Sequence, residues 1–272
     1  DGTITNTAIP AIVSALHRIQ FMGWIVAIYL LGMSVSIPIW TKIGEKITNK
    51  LAFEIALVLF VLGSTLEGLA PNIYFFLIAR MIMGIGGGGM GSLPYIIAGY
   101  VFPNIKKRAQ VLGYLTASFN GAAILGPLVG GWLIDALSWH WVFYINIPIG
   151  LVALLISLIY YKPVTPKTAP VFDLQGAFLL VSGLIMFLMG IQLLGLTATW
   201  IVVGLILFSL VLLIFFFLHE AKAENPIIPL SIFSNHDLNG DLILFATTWG
   251  ALIAVNTYLP MWAQALLGMS AL

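Results

Sequence analysis

The sequence is 272 residues long, 61% hydrophobic and only 8% charged, with a mean hydropathy of +1.07 and a net charge of +1. An apolar fraction well above the roughly 45–50% of soluble domains, and charge far below their usual share, exclude an ordinary soluble fold and give no support to a nucleic-acid partner. The absence of cysteine excludes disulfides, thiolate nucleophiles and Cys-ligated metals.

A spanning helix needs about 18 or more nearly uncharged apolar residues, because across ~30 Å of hydrocarbon the backbone must satisfy its own hydrogen bonds. In chain order, the apolar runs predict a partial span ending near Pro10. Full spans follow at about 21–40, 51–69, 73–102, 111–134, 141–161, 174–194, 200–218 and 242–262. The result is eight complete helices and one remnant, all-α and integral to the membrane. The sequence opens without an initiator Met inside one apolar segment and stops just past another, so a fragment of a longer chain is expected.

Orientation follows from the cations of the short loops. Lys42, Lys46, Lys50, Lys106, Lys107, Arg108, Lys162, Lys167 and Lys222 fall in alternate loops, which are therefore expected to face the cytoplasm. The opposite loops hold only Arg18, and the eleventh cation, Arg80, lies inside a span.

An ionisable group near the bilayer centre costs about 2.5–3.5 kcal/mol on insertion scales, so it is expected to face the bundle interior and find a partner. With Pro10 as the outer end of the first span, Asp1 lies nine residues deeper, roughly 14 Å at the helical rise. Counted from Ile73, Arg80 lies seven residues in, roughly 10 Å deep. A carboxylate and a guanidinium at matching depth have the form of a proton-coupled site, because neutralising either changes the proton affinity of the other. A purely structural ion pair is the alternative. Glu67 and Glu54 sit near opposite ends of their span, where snorkelling to headgroups is open to them, and Glu67 is the stronger functional candidate of the two. The four histidines lie in loops or at span ends without ligand spacing, so no metal and no cofactor are expected.

Gly84, Gly86 and Gly89 spell G-x-G-x-x-G, but with no preceding β-strand a phosphate loop is not the reading. Gly84 with Gly88, and Gly87 with Gly91, are four apart and predict close backbone packing. In NGAAILGPLVGG, Ala122, Gly126 and Gly130 form one small-residue stripe beside Pro127 and Gly131, a candidate sliding surface on a helix that proline can bend.

Five ordered motifs carry a resemblance. DGTITNTAIP matches D-x-T-(I/V)-x-N-x-A-(L/I)-P at Asp1, Thr3, Asn6, Ala8 and Pro10, and LIARMIMGIG supplies Arg80 with Gly84 four residues later. GPLVGG brings Gly126, Pro127, Gly130 and Gly131. SWHWVFYINIPIG matches S-W-R-W-I-F-x-I-N-x-P-I-G with His140 in place of arginine, and ENPIIPLSIF resembles the lead-in to a ninth helix. Together they resemble the major facilitator superfamily, specifically the fourteen-helix drug:proton antiporters of the EmrB/QacA type. One motif departs: the loop between the second and third helices keeps only an acid, Glu45, and a final cation, Lys50, so its cytoplasmic latch role is not carried over intact.

The resemblance implies a major facilitator fold: a six-helix bundle over 1–161, two additional helices over 162–222, and the start of a second bundle over 223–272, with five further spans beyond. It implies a proton-coupled exporter, not an enzyme, of amphipathic or cationic small molecules in the inner (plasma) membrane of a bacterium. Its partners would be substrate, protons and lipid, with any adaptor protein unidentified. Asp1 and Arg80, with Glu67, would couple protons to substrate, and Trp24, Tyr29 and Phe119 are candidates for cation–π contact with it. An exporter of an endogenous lipid, siderophore or amino acid, and a non-transporting receptor or scaffold, stay open as alternatives.

Overall fold

The computed structural model describes residues 2–162 and 173–267. The α-helices among the described residues are, in order, α1 (Gly2–Ala15), α2 (Met22–Lys46), α3 (Asn49–Gly68), α4 (Ile73–Val101), α5 (Ile105–Ala136), the short α6 (Trp141–Tyr144), α7 (Asn146–Tyr160), α8 (Leu174–Gln192), α9 (Thr199–Glu220) and α10 (His236–Leu267). The chain is a multi-pass membrane protein: among the described residues eight helical stretches are long and apolar enough to cross a bilayer, with α6 and α7 counting as one and α1 not among them. No β-strand occurs among the described residues.

Helix starts follow local chemistry. Thr48, Asn72, Asn104 and Asp173 each accept a hydrogen bond from a first-turn amide, at 2.9–3.1 Å for Leu51, Phe75, Lys106 and Gly176. Proline does not stop the helices: Pro10, Pro38, Pro94 and Pro127 all lie inside them. The predicted end of the first span at Pro10 is therefore corrected to Ala15: a proline withdraws one amide donor, which a membrane helix tolerates without ending. α2 likewise runs to Lys46, beyond the expected residue 40, and α5 starts at Ile105, before the expected 111.

The core is the stack α2–α4–α3, and it forms because α4 lacks side chains on two of its faces. A methyl on Gly84 would lie 2.5 Å from the carbonyl oxygen of Tyr29, and one on Gly88 2.6 Å from that of Met33, both on α2. On the other face, a methyl on Gly86 would lie 2.6 Å from the carbonyl oxygen of Ala56 in α3, and one on Gly89 would strike the Ala56 methyl. Of the two expected pairs, Gly84 and Gly88 pack closely against α2, whereas Gly87 faces only the Tyr29 phenol and Gly91 meets nothing within 4 Å; the α3 face is made by Gly86 and Gly89 instead. Ser36 and Trp40 of α2 complete the seam by donating to the Ile85 carbonyl at 3.1 and 2.7 Å.

Two further pairings frame this stack. α1 lies against α5, where a methyl on Gly130 would come 2.6 Å from Thr7 Oγ1 and one on Gly126 3.2 Å from the Ile4 amide. α8 and α9 pair through Gly183 and Gly190, and α8 leans on α2, where Gln192 donates to the Gly23 carbonyl at 3.4 Å.

Candidate functional site

Arg80 is 1% exposed, the largest of the fully buried side chains. Its guanidinium reaches every helix of the core. Nε donates to the Ile25 carbonyl of α2 at 3.2 Å, and Nη1 donates to Thr5 Oγ1 of α1 at 3.5 Å and to Glu67 Oε2 of α3 at 3.3 Å. The Tyr29 ring lies under the guanidinium carbon at 4.4 Å, and Met83 Sδ approaches Nη1 at 3.7 Å. A planar fork with five donors suits this work, since one lysine ammonium cannot serve divergent acceptors on three helices.

Glu67 is 0% exposed. Its place in the last turn of α3 suggested a side chain free to snorkel outward, but the helix turns it inward onto Arg80. One signal in the sequence marks this. Ala52, Ala56, Phe60, Gly63, Ser64 and Glu67 recur at three- and four-residue spacing and form the buried face of α3, so the acid belongs to the packed stripe. Only one of its oxygens is engaged: Oε1 is buried and accepts no hydrogen bond among the described residues.

The other expected site residues fall into three groups. Asp1, the acid read as Arg80's counterpart, lies outside the described residues; its neighbours Thr5 and Asn6 on α1 are buried, and Thr5 meets Arg80. Gly84 and Gly88 seat α4 on α2, and Gly126 and Gly130 seat α5 on α1, with Gly131 buried beside them and α5 continuous through Pro127. Glu45 and Lys50, expected in a loop, are instead helical: the link is only Ile47 and Thr48. Glu45 pairs with Lys42 in the last turns of α2 at 3.3 Å, while Lys50 opens α3 and donates to the Tyr161 and Leu158 carbonyls at 2.7 and 3.2 Å. Lys50 is thereby a cap on the end of α7, assisted by Ser157 donating to Glu54 at 3.0 Å.

Among the aromatic candidates, Tyr29 is occupied by Arg80 rather than open to a ligand, and Phe119 stands edge-on to Trp249 of α10 at 6.3 Å. Trp24 packs against the cluster containing Ile25 and Phe76. Among the described residues, no three His, Asp or Glu side chains gather as metal ligands. His219 bonds Asp173 at 2.9 Å and His140 bonds the Gly68 carbonyl at 2.8 Å.

Comparison with known proteins adds the wider setting. The model of the Major Facilitator Superfamily matches residues 1–272. The multidrug transporter protein MdtP of Bacillus subtilis is 34% identical over 276 residues, covering 100% of this chain and 50% of the relative. Multidrug resistance protein 3 of the same organism is 35% identical over 274 residues, covering 100% and 53%. The efflux pump dotC of Dothistroma septosporum is 35% identical over 277 residues, covering 98% and 48%. The chain spans about half the length of these curated relatives.

Proposed function

The chain belongs to the major facilitator superfamily, and from that premise we propose that this protein is a proton-coupled exporter of drugs or other amphipathic small molecules, working by alternating access in the plasma membrane. Relatives named as multidrug transporters match across the whole chain and support the export reading. The proposed division is a six-helix bundle over 1–161, two additional helices over 162–222, and the opening of a second bundle from 223. The mutual pairing of α8 and α9 supports it.

One observation carries the coupling part of the proposal: a fully buried guanidinium bonded at once to α1, α2 and α3. A carboxylate held on such a group is stabilised by it, and a proton arriving on that carboxylate weakens the attraction. In the proposed cycle Asp1 and Glu67 are the proton-accepting groups and Arg80 is their common counter-ion. Protonation loosens the bond between Arg80 and its helices, and deprotonation with substrate release restores it. Gly126, Pro127, Gly130 and Gly131 give α5 a smooth face against α1 along which the bundle adjusts. No bond is made or broken in the substrate, so the reading is a carrier and not an enzyme.

The test uses the full-length carrier in liposomes with an imposed pH gradient, and a lipophilic fluorescent cation as the transported probe. Glu67→Gln and Asp1→Asn are each expected to uncouple probe movement from the gradient while leaving downhill movement. Gradient-driven export retained in both variants would remove these carboxylates from the mechanism. A probe that never moves, in a protein that accumulates a lipid or amino acid instead, would redirect the substrate class.

A further inference from the structure

We infer that His140 and Tyr144 are positioning residues for Glu67, acting through the last turn of α3; this rests on the reading of Glu67 as a coupling group. Both residues donate to one acceptor. His140 Nδ1 and Tyr144 Oη each lie 2.8 Å from the carbonyl oxygen of Gly68, the residue next to Glu67. The last carbonyls of a helix have no intrahelical donor, so at the end of a membrane span they must find one elsewhere or remain costly.

The residue at 68 makes the grip possible. A methyl there would run into the Tyr144 ring, so only glycine lets the phenol lie on the backbone. One turn earlier, on the other side of Glu67, Ser64 donates to the Phe143 carbonyl at 2.8 Å and accepts from Asn146 Nδ2 at 3.0 Å. Glu67 is therefore bracketed by bonds to the segment 140–146. The same segment holds the helix of its partner: Phe143 meets Phe76 edge-on at 5.5 Å and Trp139 meets it at 6.2 Å, and Phe76 sits one turn before Arg80 on α4. Trp139 stacks on the His140 ring at 3.7 Å and fixes its orientation.

The segment thus clamps the acid-bearing end of α3 and the arginine-bearing start of α4 in one register. Glu67 needs this support because its carboxylate touches Arg80 through a single oxygen. Placement of a functional group to within a fraction of an ångström depends on such a supporting shell.

The experiment measures how fast a lipid-soluble carbodiimide labels Glu67 in the full-length carrier in liposomes, read by peptide mass spectrometry. Releasing the clamp frees the carboxyl from Arg80, so the double variant His140→Leu/Tyr144→Phe is expected to label about fivefold faster, the equivalent of one lost hydrogen bond of ordinary strength. His140→Asn keeps a nitrogen donor at the Nδ1 position and is expected to label within about twofold of the parent. Tyr144→Phe alone, which retains the ring on Gly68, gives an intermediate rate and serves if the double variant does not fold. The dependence of gradient-driven export on external pH is expected to shift in the double variant and to return to the parental profile in His140→Asn. Unchanged labelling in Tyr144→Phe and in the double variant overturns the inference. Full coupling in Glu67→Gln would instead defeat the coupling reading, a separate result from the labelling.

Discussion

Replacing Arg80 by methionine tests whether the buried pair is a mutual dependence or two independent packing elements. The arginine side chain is 2% exposed and its partner 0%, at 3.3 Å. Arg80→Met leaves a fully buried Glu67 whose Oε1 already lacks a hydrogen bond among the described residues, and it also removes the arginine's own bonds to the Ile25 carbonyl and to Thr5 Oγ1. Truncating one member of a buried ion pair costs about 3–5 kcal/mol, chiefly because the remaining group stays desolvated and uncompensated. Glu67→Leu is expected to cost less than Arg80→Met, because the guanidinium retains the Ile25 carbonyl, Thr5 and the Tyr29 ring. In the double variant neither group is stranded, so its cost should fall short of the sum of the singles by about 2 kcal/mol, within the range found for directly contacting residues. Arg80→Lys should recover little, since one ammonium cannot reach all three helices. The assay is reversible unfolding of the full-length carrier in mixed detergent–dodecyl sulfate micelles, followed by tryptophan fluorescence. Additivity of the two single substitutions to within about 0.5 kcal/mol would refute the claim that the pair acts as a unit.

The glycine seams give a sharp contrast: Gly86→Leu forces a side chain onto the Ala56 carbonyl and should lower stability by about 1–3 kcal/mol or more in the same assay, whereas Gly91→Ala meets nothing and should be neutral or favourable by about 0.5–1 kcal/mol. The α1–α5 contact is open to cross-linking: Thr7→Cys with Gly130→Cys should form an oxidant-dependent bond seen as a mobility shift after cleavage between the helices, and failure to form one would separate these helices. Lys50→Met removes the donor to the Leu158 and Tyr161 carbonyls, of which only Leu158 lies within α7, and should speed hydrogen exchange in the last turn of α7 about fivefold, as expected for the loss of that one ordinary hydrogen bond.

How much of this was legible in the sequence depends on the kind of information each feature carries. Spans are a matter of length and apolarity, which a sequence states directly: α3, α4, α8 and α9 lie within two residues of their expected limits, and the expected span 141–161 is filled by α6 and α7 together. The glycine contacts on α4 and α5 were also readable, because four-residue spacing of small residues has one geometric meaning on a helix. What spacing could not say is that α4 is smooth on two faces at once, with Gly84 and Gly88 toward α2 and Gly86 and Gly89 toward α3. Helix ends were less legible. The apolar run places the end of the first span near Pro10, yet in the bundle α1 continues five residues further, which moves every depth counted from Pro10 by about 7.5 Å at the helical rise.

Glu67 shows where counting along a chain loses information. Depth along the chain pairs Asp1 with Arg80, and by depth alone Glu67 is a peripheral acid near a span end. Partnership, however, is decided by the angle at which a side chain leaves its helix and by which helices are neighbours. The first was present in the stripe from Ala52 to Glu67, and the second only in the fold, because the four-residue link from Leu69 to Asn72 returns α4 directly against α3. An acid in the last turn of one helix and an arginine about two turns into the next are brought level by so short a hairpin. The same geometry explains why the SWHWVFYIN segment is more than a family marker: it closes over that hairpin, bonding Gly68 and Ser64 on one arm and packing Phe76 on the other. A short connection brings the acid and the arginine together, and the segment beside it holds them there.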